Sequence, residues 1–331
     1  MLKVAIIGAG VMGTLHARTY RGLPNVKLAA ICDIDRSRGG KLADFYKVRL
    51  YRDYKKMLAE ENLDGVSITV PTNLHKEIAL FVINKGVNLL IEKPLAATAE
   101  DAETIVNSAN KRGIILTVGH IERFNPAVIK LKGLIKKGIF GDIVSIVVKR
   151  VGLFPPRVTD INVVTDLAVH DLDIVCDLLD KSPESIFAIG GKGLNSNNID
   201  YADIFLDFGK TSCYLQVNWM TPIKIRTLSV TGTLGYGELD YVTQELTLYK
   251  SNLTKIMPQQ FEKFVAKLGK PKKHSIKIRK EEPLKLEIID FLKCMERKQK
   301  PKVSGQEGME AIKLSEAVLQ SLGEKRPIHI M

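Results

Sequence analysis

The sequence predicts an α/β domain with a parallel, doubly wound sheet, followed by an α+β domain with a large mixed or antiparallel sheet. The chain has 331 residues, and at about 150 residues per domain this length corresponds to two domains. The first third alternates short apolar runs with helical patterns, which is typical of a parallel sheet. After His120 the sequence changes to strands separated by Gly, Asn and Ser turns. We therefore predict a first domain at residues 1–120 and a second at residues 121–331.

The predicted strands of the first domain are short and mostly rich in Val and Ile, as in strands buried on both faces. They are KVAII from Lys3, VKLAAIC from Val26, GVSITV from Gly65, VNLLIE from Val87 and GIILTV from Gly113. Helical patterns lie between them, including TAEDAETIVNSANKRG, which begins with a Thr98–Asp101 cap and ends at Gly113. Strand–helix alternation of this kind implies right-handed crossovers.

The second domain begins with a predicted helix, NPAVIKLKGLIKKG, which has Pro126 in its first turn. Predicted strands follow: DIVSIVVKRVG, SIFAIGGKG, YADIFLDFG, TSCYLQVNW and IRTLSVTG. A helix over roughly Val163 to Leu179 interrupts them. The closing SGQEGMEAIKLSEAVLQSLG reads as an amphipathic helix with a capping box formed by Ser304 and Glu307.

Composition indicates a soluble cytoplasmic protein. No run approaches the ~18 apolar residues of a membrane span, and the four cysteines form no C-x-x-C pair, which favours a reducing compartment. The net charge of +12 is partly local, with nine Lys or Arg and one acid between Lys255 and Lys280. This segment is either a solvated basic face or a site for an anionic partner. Because no basic helix is interleaved with aromatic side chains, we predict no nucleic-acid partner.

The stretch IIGAGVMGTLHA contains the spacing G-x-G-x-x-G directly after the first predicted strand. Gly8 permits a tight turn, Gly10 lets the backbone approach a pyrophosphate, and Gly13 allows close helix–strand packing. A helix starting near Met12 offers free N–H groups to the phosphates. We therefore assign these three glycines, Val11 and Met12 to a dinucleotide site.

Asp33 lies 20 residues after Gly13, at the end of the second predicted strand. An acid at this position accepts hydrogen bonds from the ribose hydroxyls and repels a 2′-phosphate, which favours NAD over NADP. Arg36 and Arg38 follow closely, and Arg38 is a further cofactor-contact candidate because a guanidinium stabilises a 2′-phosphate.

Lys93, in IEKPL, follows the strand VNLLIE at the edge where ligands of parallel sheets bind. Beside an oxidised nicotinamide its ammonium form is disfavoured, which suits proton transfer. The alternative is a surface lysine at a strand end.

The predicted helix VVTDLAVHDLDIVCDLLD places Asp166 four residues before His170. At α-helical spacing the carboxylate and imidazole are in contact range, so the pair can fix a tautomer and raise imidazole basicity. The alternative is an exposed acidic stripe that continues through Asp173 and Asp177. No third ligand suggests a metal site, and we predict none.

Three loops place further polar side chains at the cofactor edge or near the domain boundary. VPTNLHKEIA contains Thr72, Asn73 and His75. The alternative is that Asn73 caps the following helix and that His75 is a first-turn residue without a functional role. GHIERFNPA contains Arg123. RVGLFPPRVTD contains Arg157, which either grips a phosphate or faces solvent.

Taken together, GAGVMGTLHA, VPTNLHKEIA, EKP, the Asp166–His170 spacing and the closing helix resemble the Gfo/Idh/MocA family of nicotinamide-dependent sugar and cyclitol oxidoreductases. The resemblance implies that Lys93 and His170 flank the sugar carbon that is oxidised, and that Asp166 is the acid paired with that histidine. It further implies cofactor contacts at Glu92 and in the Asn73–His75 loop, and Thr72 and Lys93 are further cofactor-contact candidates. Ala168 stands where many members have glycine.

Within the family, RVGLFPPR, DLAVHDLDI and VNWMTPIKIRTLSVTGTLGYGELDY most resemble the branch that oxidises the 3-hydroxyl of UDP-N-acetylglucosamine to a 3-keto sugar. This implies an NAD-dependent nucleotide-sugar dehydrogenase with His170 as a substrate contact. Arg157, and more weakly Arg123, are candidates to bind the diphosphate because both lie in loops near the proposed cleft. The alternatives are a dehydrogenase of a free sugar or inositol on the same fold, and a non-catalytic dinucleotide sensor. The family commonly forms homodimers or homotetramers through its strand-rich half.

Overall fold

The computed structural model describes residues 1–153, 162–194, 198–250 and 272–330, which form two compact units. Unit 1 comprises Met1–Phe124 and Glu281–Glu316, and unit 2 comprises Asn125–Lys280 and Ala317–Met331. The predicted fold class is confirmed. Within the described ranges no helix is both long and apolar enough to span a bilayer.

Unit 1 contains a six-stranded parallel sheet in the order β3-β2-β1-β4-β5-β6. Its elements are β1 (Leu2–Ile7), α1 (Val11–Arg21), β2 (Val26–Cys32), α2 (Arg36–Tyr46), β3 (Arg49–Tyr51), α3 (Tyr54–Glu60), β4 (Gly65–Ile68), α4 (His75–Asn84), β5 (Asn88–Ile91), α5 (Ala99–Arg112) and β6 (Leu116–Val118). The strand order reverses beside β1, so the carboxyl ends of β1 and β4 border the crevice where ligands of such sheets bind.

Local signals in the sequence start and stop the helices of this unit as predicted. The backbone N–H of Asp101 donates to Thr98 Oγ1 at 3.1 Å, which caps α5 at its amino end. Gly113 ends the same helix in the left-handed conformation, at φ +64°, which glycine adopts without steric cost.

Two C-terminal helices, α8 (Pro283–Arg297) and α9 (Gly305–Glu324), precede the last strand in sequence. The apolar face of α8 packs in unit 1, where Ile288 and Phe291 join the core formed by Val4, Ala17 and Tyr20. The predicted division assigns all residues after 120 to the second domain, whereas the structure adds Glu281–Glu316 to the first unit. The reason is the burial of this apolar helix face, which gains about 25 cal/mol per Å² of apolar surface.

Unit 2 contains a nine-stranded mixed sheet in the order β14-β13-β12-β11-β7-β10-β9-β8-β15, in which the β7–β10 pair is parallel. Its elements are α6 (Pro126–Lys136), β7 (Ile143–Leu153), α7 (Val169–Leu179), β8 (Ser185–Gly191), β9 (Tyr201–Asp207), β10 (Ser212–Asn218), β11 (Met220–Gly232), β12 (Gly235–Asp240), β13 (Glu245–Lys250), β14 (Lys272–Ser275) and β15 (Ile328–His329). Asn125 caps α6 by accepting the Ala127 N–H at 3.1 Å, with Pro126 in the first turn. Most of the basic segment lies outside the described residues.

Glu287 of α8 is completely buried, and neither of its carboxylate oxygens has a hydrogen-bond partner among the described residues. Burial, together with the nearby charges of Glu92 and Asp290, raises the pKa of Glu287 well above its ordinary value. The folded chain therefore keeps a proton that the unfolded chain releases, so this group lowers stability as the pH rises above the ordinary pKa of a glutamate.

We expect Glu287→Gln to stabilise the protein, with a gain that grows as the pH rises from 5 toward 8, because the isosteric amide is never ionised. The pH-dependent part approaches about 1.4 kcal/mol per pH unit until the folded-state pKa is reached. Urea unfolding midpoints at several pH values measure it. Glu307→Gln is the matched control with the opposite sign: burial opposes ionisation there, but bonds from Ser304 and Lys300 keep the pKa lowered. A pH-independent difference for Glu287→Gln would contradict the expectation.

Candidate functional site

The glycine loop between β1 and α1 has the geometry of a phosphate cradle. Gly8 has φ +102°, and a Cβ there would lie 2.7 Å from Thr69 O. A Cβ on Gly13 would lie only 1.9 Å from Gly8 O, so helix and loop are in backbone contact. No atom lies within 4 Å of a Cβ on Gly10, which leaves space for a ligand at this point.

The amino end of α1 is open to an anion. Gly10 caps this helix without any side-chain hydrogen bond. Val11 is 55% exposed and Met12 is half-buried, so the first turn reaches the surface. The free backbone N–H groups and positive dipole end of a helix favour a phosphate group there. The loop predicted from the sequence therefore fits a dinucleotide.

Asp33 directly follows β2, and its carboxylate is buried at the same edge. Its oxygens accept from the backbone N–H of Ala9 at 2.7 Å and of Asp35 at 2.8 Å. Arg38 donates two further bonds, through Nε at 3.1 Å and Nη2 at 2.9 Å. Burial alone would raise the pKa of Asp33, but these bonds outweigh it and hold the pKa below its ordinary value.

Arg38 thus contacts the acid as well as facing the predicted cofactor site. Four donors meet the four lone-pair sites of one carboxylate. For Asp33 to accept ribose hydroxyls, as predicted from the sequence, the half-exposed Arg38 side chain has to move away. Side-chain pairing of this kind has no signal in residue spacing.

An open cleft of about 600 Å³ lies beside this acid, all within unit 1. Its lining combines backbone near the glycine loop with α2 side chains: Ala9, Thr14, Asp35, Ser37, Arg38, Lys41, Leu42, Phe45 and Tyr46. The apolar and aromatic side chains suit an adenine ring, and the two cations suit phosphate or ribose oxygens.

The loop after β4 contains a short 3₁₀ turn, Thr72–Leu74, that leads into α4. Thr72 is half-buried and Asn73 exposed, and α4 has no side-chain cap, so Asn73 does not cap this helix. His75 is 1% exposed, with Nδ1 3.0 Å from Pro94 O and Nε2 3.0 Å from Val70 O. Burial lowers the pKa of His75. Its side chain links two loops of the cofactor edge, while Thr72 and Asn73 reach the surface.

Glu92 and Lys93 directly follow β5. Glu92 is buried, and its Oε1 lies 3.0 Å from Nε2 of His16 on α1. Its Oε2 accepts the backbone N–H of Lys93 at 3.3 Å. Lys93 itself is half-buried. The structure thus places Glu92 and Lys93 at the carboxyl edge of the parallel sheet, together with the glycine loop and Asp33.

His170 and Asp166 lie in unit 2, where a π-helical turn, Val164–Ala168, precedes α7. The sequence predicts one continuous α-helix over this stretch, and the wider turn changes the angular offset between Asp166 and His170 from the α-helical value. Both side chains are half-buried. π-turns of this kind occur frequently at functional sites.

The alternative of an exposed acidic stripe does not describe this helix. Asp173 is 2% exposed, and Asp177 bonds Lys132 Nζ at 2.7 Å with only 8% of its side chain exposed. Asp171, which the sequence pattern did not single out, is fully buried and binds Arg150 through Nε at 2.9 Å. The available signal was the alternation along this strand, which places Arg150 on the same face as the buried Ile146 and Val148.

Two further predicted contacts are arginines. Arg123 is half-buried in the 3₁₀ turn Ile121–Phe124 of unit 1, and its carbonyl oxygen accepts from Lys302 Nζ. Arg157 lies outside the described residues. Nowhere in the described ranges do three or more His, Cys, Asp or Glu side chains form a group that could hold a metal ion.

Comparison with known families decides the assignment of this fold and site. Residues 2–120 match the Gfo/Idh/MocA description "Oxidoreductase family, NAD-binding Rossmann fold", and residues 132–330 match "Oxidoreductase family, C-terminal alpha/beta domain". The chain belongs to the Gfo/Idh/MocA oxidoreductase family. The resemblance stated from the sequence is confirmed, and unit 1 contains the NAD-binding Rossmann domain of this family.

Individual Gfo/Idh/MocA relatives act on different sugars and polyols. The chain is 28% identical over 249 residues to UDP-N-acetylglucosamine 3-dehydrogenase of Acidithiobacillus ferrooxidans, covering 75% of this chain and 77% of that protein. It is 24% identical to myo-inositol 2-dehydrogenase of Thermotoga maritima over 99% and 98% of the two chains. A solved structure of the Acidithiobacillus enzyme superposes with a TM-score of 0.85 at 24% identity, over 98% of each chain, which shows the shared fold. The chain is therefore an oxidoreductase whose relatives include sugar and polyol dehydrogenases.

Proposed function

We propose that this protein is an NAD-dependent dehydrogenase that oxidises the 3-hydroxyl of a UDP-N-acetylglucosamine-like nucleotide sugar to a 3-keto sugar. The observation that supports an NAD-dependent dehydrogenase is the glycine loop of Gly8, Gly10 and Gly13 together with the Asp33 carboxylate at the end of β2. The substrate part rests on the similarity to UDP-N-acetylglucosamine 3-dehydrogenase and on the sequence segments that resemble this branch.

Each residue named for the chemistry has a distinct role in this proposal. A bound nicotinamide would supply the acceptor for the hydride from C3 of the sugar. His170 takes the proton of the 3-hydroxyl, Lys93 donates a hydrogen bond to the same oxygen and stabilises its developing negative charge, and Asp166 orients the imidazole. Arg157 and Arg123 are proposed to bind the diphosphate through charge-assisted hydrogen bonds.

The test is incubation of the protein with NAD and a panel of UDP-sugars, free sugars and inositols while NADH absorbance is followed. We expect turnover of a UDP-N-acetylhexosamine and loss of turnover in Lys93→Met. Turnover of myo-inositol or a free sugar alone would contradict the proposed nucleotide-sugar substrate and identify a dehydrogenase of a free sugar or inositol. That second candidate is favoured by the match to myo-inositol 2-dehydrogenase along 99% of this chain.

We expect the wild-type protein to bind NADH at least about tenfold more tightly than NADPH, because the Asp33 carboxylate repels a 2′-phosphate. Asp33→Asn should reduce this preference, since the amide has no charge. Arg38→Gln should increase it, since two acceptor sites of Asp33 become available to the ribose hydroxyls. Titration of the fluorescence of both reduced cofactors measures the ratio. Equal or tighter NADPH binding by the wild type would contradict the assignment.

The proposal includes a homodimer or homotetramer formed through the sheet of unit 2. On the face opposite its buried side, Phe187, Phe205, Tyr214 and Val147 occupy one register row across β8, β9, β10 and β7. Phe205 is 46% and Val147 42% exposed, so this row presents apolar surface suited to a second copy. Multi-angle light scattering of the wild type should give twice or four times the mass of one chain, and Phe205→Lys should lower it. A monomeric wild type would exclude this arrangement.

A further inference from the structure

A chain of buried hydrogen bonds extends behind the cofactor edge of unit 1. Tyr20 Oη lies 2.8 Å from Ser67 Oγ, Ser67 Oγ lies 3.0 Å from His16 Nδ1, and His16 Nε2 lies 3.0 Å from Glu92 Oε1. Tyr20, Ser67 and His16 are all fully buried, and they come from α1 and β4. None of these three residues belongs to the catalytic or cofactor-binding set assigned above.

The donors and acceptors of this chain have one consistent direction when the imidazole is neutral. An ionised carboxylate only accepts, so His16 Nε2 carries the hydrogen and donates to Glu92. His16 Nδ1 then accepts from the Ser67 hydroxyl, whose oxygen in turn accepts from the Tyr20 hydroxyl. Every hydrogen bond therefore points toward Glu92, and bonds aligned in one direction polarise one another.

A second carboxyl group in the same core sets where the negative charge resides. Glu287 is fully buried, and both its burial and the charge of Glu92 raise its pKa. A raised pKa favours the neutral acid at Glu287, whereas Glu92 accepts hydrogen bonds from the His16 imidazole and from the Lys93 N–H. Of the two carboxyl groups, Glu92 is therefore the one whose hydrogen bonds suit a negative charge.

The position of Glu92 along the sheet relates this charge to one half of a dinucleotide. In sheets of this topology the dinucleotide lies across the strand-order reversal, which here is beside β1. Asp33 at the end of β2 marks the adenosine side, so the nicotinamide half belongs on the side of β4 and β5. Glu92 directly follows β5 on that side.

We propose that Tyr20, Ser67 and His16 are positioning residues that hold the Glu92 carboxylate charged beside the nicotinamide half, so that the protein binds the oxidised dinucleotide in preference to the reduced one. This inference rests on the proposed dinucleotide binding, but not on the identity of the sugar. The oxidised nicotinamide ring is a cation and the reduced ring is neutral, so a fixed carboxylate nearby stabilises only the oxidised form. The hydrogen-bond chain from Tyr20 to Glu92 thereby favours binding of the oxidised dinucleotide, which is the form that accepts hydride.

The test compares the two dissociation constants, for NAD⁺ by calorimetry and for NADH by its fluorescence, without any substrate turnover. The wild type should have a larger Kd for NADH than for NAD⁺. His16→Phe removes the donor to Glu92 and should lower the ratio Kd(NADH)/Kd(NAD⁺) by roughly five- to twentyfold. His16→Gln retains an N–H donor and should keep most of the ratio.

A milder variant and a matched control keep the test valid if His16→Phe does not fold. Tyr20→Phe removes only the hydroxyl at the far end of the chain and should lower the ratio in the same direction by a smaller factor. Tyr51→Phe is the matched control, because its hydroxyl bonds Glu60 and Glu61 elsewhere in the same unit, and it should leave the ratio unchanged.

The inference and the proposed function fail in different ways. Equal changes of both dissociation constants in His16→Phe and Tyr20→Phe would give these residues a packing role only and overturn the inference while dinucleotide binding stands. A wild-type Kd for NADH equal to or below that for NAD⁺ would also overturn the inference alone. Absence of NAD⁺ and NADH binding by the wild type would overturn the proposed function, and the inference with it.

Discussion

The His170→Ala variant is expected to lose about 10²–10⁴-fold in kcat while it still binds NAD normally, because removal of a general base has an effect of this size. Oxidation of a secondary alcohol requires a proton acceptor within ~3 Å of the hydroxyl, with a pKa near the working pH. A histidine ordinarily titrates near ~6.5, whereas a lysine near ~10.4 needs a large shift to act as a base. His170 is half-buried at the start of α7, in unit 2, apart in sequence from every residue of the glycine loop.

The pH profile separates the role of His170 from a merely structural one. In the wild type, kcat should fall on the acidic side as the imidazole becomes protonated, and this limb should be absent in His170→Ala. Asp166→Asn should keep the limb with a lower kcat, since it only orients the imidazole. If His170→Ala kept nearly full kcat while Lys93→Met had none, the lysine would be the base and the two roles would be exchanged.

The parts of the fold that sequence patterns predict are those governed by short-range interactions. The strand VKLAAIC corresponds residue for residue to β2, and the predicted cap at Thr98 is present as a hydrogen bond. Of the predicted Ser304–Glu307 capping box, the bond from the Ser304 N–H to the Glu307 carboxylate is present at 2.7 Å, and the Ser304 hydroxyl accepts from the Gln306 N–H at 3.3 Å. Each of these depends on residues fewer than eight positions apart, so their identities suffice to specify them.

Features that depend on distant residues were not predictable from spacing. The π-turn before α7 consists of residues with an ordinary helical pattern, and only packing decides which carbonyl each N–H reaches. The pairing of Arg38 with Asp33 and the relay from Tyr20 to Glu92 join side chains whose meeting depends on tertiary structure. In the candidate site, residue types and their places along the chain were predictable, whereas their partners were not.

The buried pair of Arg150 and Asp171 in unit 2 accounts for the largest expected stability effect. Arg150, on β7, is 4% exposed, and Asp171, on α7, is fully buried. Arg150 donates from Nε to both carboxylate oxygens at 2.9 Å, and its Nη2 lies 2.8 Å from Oδ1. The guanidinium also lies 4.9 Å from the centre of the Tyr241 ring. Loss of either partner leaves one charge in a site with little water to solvate it.

We expect Asp171→Asn to lower the free energy of unfolding by about 3–5 kcal/mol, as measured by urea denaturation, because the uncompensated Arg150 charge stays buried. The double variant Arg150→Met with Asp171→Leu should recover most of this loss, since it removes both charges and retains apolar volume. Asp180→Asn is the matched control: Asp180 is 55% exposed and pairs with Lys132 and Lys136 at the surface, so the change should cost less than about 1 kcal/mol. A loss below about 1 kcal/mol in Asp171→Asn would show that Arg150 finds other compensation. If the predicted loss of stability is observed, the ion pair of Arg150 and Asp171 anchors α7 to β7. This helix also presents His170, which is the immediate neighbour of Asp171 in the sequence.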